Sequence, residues 1–281
     1  MTLKIALPNK GSLSDAAIAI LREAGYRQRN DARDLVFIDP ENDVEFYYLR
    51  PRDIAVYVGS GELQIGITGK DLLIDSAANA AEIIGLDFGK STFRFAAEID
   101  INDESAISGK RIATAYPGIV SSYLKRTGIN ATIVKLDGAV ESSIRLGVAD
   151  VIADVVSTGG TLKQAGLKVF GKPILQSEAI LIERVGAIRS QQIETLIRRL
   201  SGVVIARQYV LVDYDVESAN LEAACAITPG IESPTVSPLQ KNGWSAVRAM
   251  VLRKNIHLVM DELYEAGARG ILVTDIHASR L

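Results

Sequence analysis

Short apolar runs alternate with amphipathic stretches along most of the chain, and glycine, proline or small polar clusters separate them. Residues 3–7 read as a strand ending at Pro8. Leu13, Ala17, Ile20, Leu21 and Ala24 then recur at helical spacing, with Ser12 or Ser14 as a start signal and Gly25 as a stop. Strands are expected at 36–38 and 44–49, and Pro51 suits the first turn of the next helix. A strand at 64–68, a helix at 72–81 and a strand at 93–99 complete a first series. A second series has strands at 111–115, 132–136 and 151–156, a helix through Leu124, and helices over 140–146 and 162–167. An apolar strand at 174–182 returns toward the first series, and a long amphipathic helix covers 191–206.

After Ala206 the order changes to strand (208–214), helix (218–225), edge strand (235–238), strand (247–252), helix (257–266) and strand (270–276). That is the ferredoxin-like order, and so small a module suits regulation or assembly. The earlier alternation predicts an α/β fold with parallel, doubly wound sheets. Ligands of such sheets gather outside the carboxyl ends of the strands. Four strand ends carry small or charged residues, at 8–11, 68–71, 116–118 and 157–161, two from each series. Two lobes facing each other across a cleft is the simplest architecture.

The stretch 150–162, D-V-I-A-D-V-V-S-T-G-G-T-L, is the most informative. A β-branched run followed by small residues and a helix suits phosphate, because backbone N–H groups, hydroxyls and the helix dipole converge there. Ser and Thr at a helix start also serve as ordinary caps. Asp154 stands before that bend, able to hold a ribose hydroxyl or Mg²⁺. Glu141 is the other carboxylate expected to face the cleft, while Asp137 and Asp150 read equally well as cap or surface charges. Lys10, Lys70 and Asp71 bring charge to turns that need none. Arg50 and Arg52 can reach a pyrophosphate or stay solvated, and Tyr116 can stack on a base or pack structurally.

Composition removes several alternatives. Lys and Arg number 31 against 34 acidic residues, so no basic field points to nucleic acid or an anionic membrane. Cys225 is alone, which excludes an internal disulfide and fits a reducing compartment. The start resembles no secretory signal, no window has the roughly 18 apolar residues of a membrane helix, and a cytoplasmic protein is expected. His257 and His277 lie in the C-terminal module beside no plausible serine, so triad chemistry and zinc spacing are absent. Hydroxyls, amides, carboxylates and cations remain, a set suited to a phosphorylated substrate.

With these residues assembled, the chain resembles the ATP phosphoribosyltransferase family in its long form. The likeness rests on L-P-N-K-G (7–11), Y-Y-L-R-P-R-D-I-A-V-Y-V (47–58), G-I-T-G-K-D (66–71), R-I-A-T-A-Y-P (111–117), L-D-G-A-V-E (136–141), D-V-V-S-T-G-G-T-L (154–162) and T-P-G-I-E-S-P-T (228–235). It implies two catalytic lobes of periplasmic-binding-protein type II-like form, residues 1–92 with 180–207 and residues 93–179, and an ACT-like regulatory domain at 208–281. It implies transfer of phosphoribose from phosphoribosyl pyrophosphate to ATP with Mg²⁺, the first step of histidine biosynthesis. Ser157, Thr158, Gly159, Gly160 and Thr161 would cradle the 5′-phosphate. Asp154, with Glu141, would hold ribose hydroxyls or the metal. Lys10, Arg50 and Lys70 would serve the polyphosphates, Asp71 would lie beside them, and Tyr116 would face adenine. Asp215, Ile231, Ser233, Thr235 and Gly270 would line a site for histidine as feedback inhibitor, in a homo-hexamer that exchanges with dimers. Gly160 stands where relatives often carry Arg or Ala, and Leu252 where a proline would be expected.

Overall fold

The computed structural model describes residues 2–98, 103–156 and 160–280. In chain order the elements are β1 (Leu3–Pro8), α1 (Ser12–Glu23), β2 (Val36–Asp39), β3 (Val44–Leu49), α2 (Pro51–Ser60), β4 (Ile65–Gly69), α3 (Lys70–Ser76) and β5 (Ala80–Gly85). There follow β6 (Ser91–Ala97), β7 (Arg111–Thr114), α4 (Pro117–Thr127), β8 (Thr132–Lys135), α5 (Ser142–Arg145), β9 (Val151–Val156), α6 (Gly160–Gln164), β10 (Lys168–Ser177) and β11 (Ala179–Arg184). The last are α7 (Gln191–Gln208), β12 (Tyr209–Glu217), α8 (Leu221–Ile227), β13 (Thr235–Pro238), β14 (Trp244–Leu252), α9 (Ile256–Glu265) and β15 (Arg269–Asp275). Contacts divide the chain into two compact units, Met1–Arg22 with Tyr26–Glu194, and Glu23–Gly25 with Thr195–Leu281.

The first unit is α/β and holds two sheets, ordered β2-β3-β1-β4-β11-β5 and β10-β6-β9-β7-β8. Parallel neighbours are β1 beside β3 and β4 in the middle of the first sheet, and β7 beside β8 and β9 at one side of the second. The sheets are nonetheless mixed, not wholly parallel as the alternation predicted. The chain leaves the first sheet after β5 and returns at β11, and the crossing strands β6, β10 and β11 run antiparallel to their neighbours. Both faces of the second sheet are covered. Phe93, Phe95, Ile112, Val120 and Val151 are buried in one cluster, and Ala96, Ala113, Val140 and Ile152 in another. Such two-sided burial explains why β9 is apolar without alternation.

Beyond shifts of a few residues at element ends, two departures from expectation change which elements form or which sheet they join. The helix expected over 72–81 stops at Ser76, where Ala77 turns left-handed (φ 48°) and its N–H bonds Ile74 O, and 80–85 forms β5 instead. The strand expected over 174–182 breaks at Glu178. Its halves, β10 and β11, belong to different sheets, and Lys70 N–H holds the break by donating to Glu178 O (3.0 Å).

The second unit carries the sheet β13-β14-β12-β15, all antiparallel, with the β-α-β-β-α-β order intact. Alternate residues of β12 (Val210, Val212, Tyr214, Val216) turn to one face and pack with Ala224 of α8 and Val259 and Leu263 of α9. The Tyr214 hydroxyl finds Thr228 Oγ1 at 2.8 Å, satisfying both buried groups. Leu252 ends β14, and one 3₁₀ turn (Arg253–Asn255) leads into α9. Among the described residues no helix is long and apolar enough to cross a membrane.

Candidate functional site

The carboxyl ends of β1, β4, β7 and β9 carry the residues of interest, as the rule for open α/β sheets requires. At the end of β1 the chain turns through Asn9, Lys10 and Gly11, with Gly11 at φ 79°. Arg29, itself buried beneath the turn, stacks over Tyr48 and donates to Asn9 O (2.7 Å), so the turn is braced from below while Lys10 stays exposed. Arg50 is exposed at the cap position of α2, and Pro51 opens that helix.

Asp71 follows β4 and is only 7% exposed. A carboxylate so buried needs partners. Ser177, at the end of β10 in the other sheet, donates its hydroxyl to Asp71 Oδ1 (2.7 Å) and accepts Asp71 N–H (3.0 Å). Burial, then the Asp71 and Asp154 carboxylates, push the Tyr116 phenol far above its ordinary range, so it stays a proton donor. Its half-buried ring meets Phe93 edge-on, with centroids 5.3 Å apart. Arg52 lies over the same ring, 4.7 Å from its centroid, and pairs with Asp75 at 3.1 Å.

Asp154 is raised from the usual carboxylate value. Burial is the main cause, Glu141 and Asp71 add repulsion, and the Val155 N–H bond and Arg52 oppose them. Glu141 sits half-buried at the start of α5. Asp71, Tyr116, Asp154, Glu141 and Arg52 therefore share one electrostatic neighbourhood. Arg94, which sequence reasoning passed over, is directly opposite Asp154 in the β6–β9 ladder. Opposed residues of an antiparallel pair share a face, a signal readable only once the pairing is known.

Lys70 is ion-paired with Glu82 (2.9 Å) and lines a cavity of about 470 Å³ with Lys90, Ser91, Thr92, Val156 and Ser177. Val156 places this cavity at the last described residue before the expected phosphate bend. The assignments to Ser157, Thr158 and Gly159, and to the Thr161 side chain, lie outside the described residues; Gly160 opens α6. Asp150 belongs elsewhere, since Arg111 holds it by guanidinium and main-chain N–H.

In the second unit, Asp215 and Gly270 come together. Gly270 is left-handed (φ 60°), and a Cβ there would sit 3.7 Å from Asp215 Oδ2. Thr235 lies on the exposed edge strand β13, separated from Asp215 by β14. Ile231 and Ser233 are exposed in the turn before it.

Chemically, the first-unit site offers a buried acceptor, a protonated phenol, carboxylates short of positive charge, and cations nearby. It has the means to bind hydroxyls and manage anionic charge.

The sequence profile described as ATP phosphoribosyltransferase matches residues 50–202, and that described as HisG, C-terminal domain, matches 206–278. Among curated relatives, the ATP phosphoribosyltransferase of Pseudarthrobacter chlorophenolicus is 59% identical over 99% of this chain and 100% of its own. That of Salinispora tropica is 58% identical with the same coverage. A solved ATP phosphoribosyl transferase (HisG:HisZ) complex from Thermotoga maritima matches with a TM-score of 0.61 over 71% of this chain and 96% of that one. At 24% identity, the last is a likeness of fold.

Proposed function

The chain belongs to the ATP phosphoribosyltransferase family, the enzymes of the first step of histidine biosynthesis, and on that premise we propose how its residues carry the reaction. The N1 lone pair of the adenine of ATP attacks the anomeric carbon of phosphoribosyl pyrophosphate. The bond from that carbon to the pyrophosphate oxygen breaks, and its electrons leave with pyrophosphate. The protein must hold both substrates in line and balance the leaving charge. Ser157, Thr158, Gly159, Gly160 and Thr161 would hold the 5′-phosphate, and Asp154, with Glu141, the ribose hydroxyls. Lys10, Arg50 and Lys70 would meet the polyphosphates, and Tyr116, packed between Phe93 and Arg52, would lie against adenine.

What supports this reading above all is the repulsion among carboxylates at the strand ends, Asp71 and Asp154 acting on Tyr116, and Glu141 and Asp71 on Asp154, beside a Tyr116 ring covered by Arg52. Carboxylates that repel one another welcome hydroxyl donors and a cation. No group of three acidic, His or Cys side chains among the described residues could hold a metal alone. Mg²⁺ would thus arrive with the polyphosphates and take Asp154 as a protein oxygen ligand. Bound there, it would neutralise charge developing on the pyrophosphate.

The domain assignment follows the same reading: residues 1–92 with 180–207 and residues 93–179 form the catalytic lobes, and 208–281 the regulatory domain. Histidine would bind at Asp215, Ile231, Ser233, Thr235 and Gly270 and inhibit through a coupling free energy between sites. Because Thr235 and Asp215 are separated within the chain's own sheet, assembly into dimers and a hexamer in the cytoplasm is part of the proposal. The test is to mix protein, ATP, phosphoribosyl pyrophosphate and Mg²⁺ and follow pyrophosphate. Release that requires all three small molecules is expected. A folded protein that releases none, or releases it without ATP, contradicts the proposal.

A further inference from the structure

Asp75, near the end of α3, has a side chain only 9% exposed and belongs to none of the substrate roles above. Its Oδ1 accepts the N–H groups of Gly118 (2.8 Å) and Ile119 (3.3 Å), both in the first turn of α4. Its Oδ2 takes Arg52 Nη1 at 3.1 Å. Those two amides are the ones a helix's own cap residue would satisfy. Here the cap position is Tyr116, which makes no such bond, and Pro117 after it has no N–H to offer. A carboxylate from a neighbouring helix has taken over the cap, with the sign that suits the positive end of the helix.

The second arm runs through Arg52. The same Nη1 also donates to Ala115 O at 2.9 Å, and the guanidinium lies over the Tyr116 ring. The Tyr116 N–H is held by Thr114 Oγ1 (2.9 Å), a fully buried group. Asp75 therefore governs the chain just after Tyr116 directly, and the chain just before it, along with one face of its ring, through Arg52. Asp75 and Arg52 come from helices of the first sheet, and Tyr116 follows β7 of the second, so the arrangement also ties the two sheets together.

From this geometry we propose that Asp75 is a positioning residue for the purine nucleotide: it aims the Tyr116 ring through the first turn of α4 and through Arg52, without touching substrate itself. The proposal rests on Tyr116 lying against adenine. Its test is steady-state kinetics of the full chain with ATP and phosphoribosyl pyrophosphate varied separately, for Asp75→Ala, Asp75→Asn and Tyr116→Ala. Asp75→Ala should raise KM for ATP about tenfold, near the worth of a lost helix cap, and leave KM for phosphoribosyl pyrophosphate within about twofold. Asp75→Asn keeps an oxygen for the Gly118 amide and loses the pairing with Arg52, so it should fall between parent and alanine variant. Both KM values rising together, or a lowered melting temperature with both unchanged, would make Asp75 a merely structural cap and overturn the proposal. If the alanine variant fails to fold, an asparagine variant with a parental KM for ATP overturns it alone. Should Tyr116→Ala leave KM for ATP unchanged, or the parent show no turnover, the reading of the site falls and this inference with it. A Tyr116 effect without any Asp75 effect removes only the inference.

Discussion

Asp150 immediately precedes β9 and Asp154 lies near its carboxyl end, yet their carboxylates live in opposite conditions. Asp150 is gripped by Arg111, with guanidinium bonds of 2.8 and 3.2 Å and a main-chain N–H at 2.9 Å, which hold its carboxyl down at about 2. Among the described residues Asp154 accepts its neighbour's N–H at 2.8 Å, is half-buried, and is raised by burial and by Glu141 and Asp71, which outweigh that bond and Arg52. The first arrangement relieves charge and closes a strand end. The second leaves charge unrelieved where ligands of this fold class bind, a pattern that marks functional sites more often than structural ones.

The contrast can be broken most sharply by removing each charge in turn. Asp154→Asn should lower kcat/KM for phosphoribosyl pyrophosphate on the order of 100-fold, the scale of losing an aligned electrostatic contact. Asp150→Asn should stay within about twofold, since its partner is the surface Arg111. A comparable loss in both would mean that the difference at the two ends has no bearing on catalysis. A smaller effect is expected at Tyr116→Phe, which keeps the ring and deletes the hydroxyl that feels the Asp71 and Asp154 carboxylates. The loss should be about 1 kcal/mol in kcat/KM for ATP, a few-fold, measured with the other substrate saturating.

The smallest effect concerns stability. Asp150 is depressed in the folded state, so its contribution is present above the unfolded value near 3.9 and is lost as pH falls toward 2. As a partly exposed pair it is worth at most about 1 kcal/mol. Melting curves of parent and Asp150→Asn should therefore differ slightly and constantly between pH 5 and 8, and converge near pH 2. A difference that grows on acidification would contradict the pairing.

Local pattern carried much of this molecule. The strand ends at Lys10, Asp71, Tyr116 and Asp154 were readable because periodicity stops there and small or charged residues begin. The C-terminal order was readable because turns separate each of its elements. Pattern failed where long-range structure overrides local preference. The alanines around 77–81 favour helix, but a left-handed Ala77 and pairing with β11 turn them into β5. The apolar stretch across Glu178 looks continuous, since nothing local says that its halves serve different sheets. Ser177 and Asp75 escaped for the same reason: their partners, Asp71 and the amides of α4, are distant in sequence. Lys70 was placed at a strand end correctly, but its ion pair with Glu82 on β5 was invisible while β5 read as helix.

Burial, Glu141 and Asp71 disfavour the charge on Asp154, at the strand end where the site would use it. Thermal unfolding of Asp154→Asn at pH 7, without ligands, tests this most directly. A carboxyl raised in the folded state stabilises the fold only while protonated, and that contribution is lost as pH rises through its folded-state value. The variant keeps the oxygen that accepts Val155 N–H and sheds the charge, so it should melt above the parent at pH 7, with the gain fading on acidification. A variant that melts below the parent at pH 7 would show that the charge is already compensated, and the claim would fail.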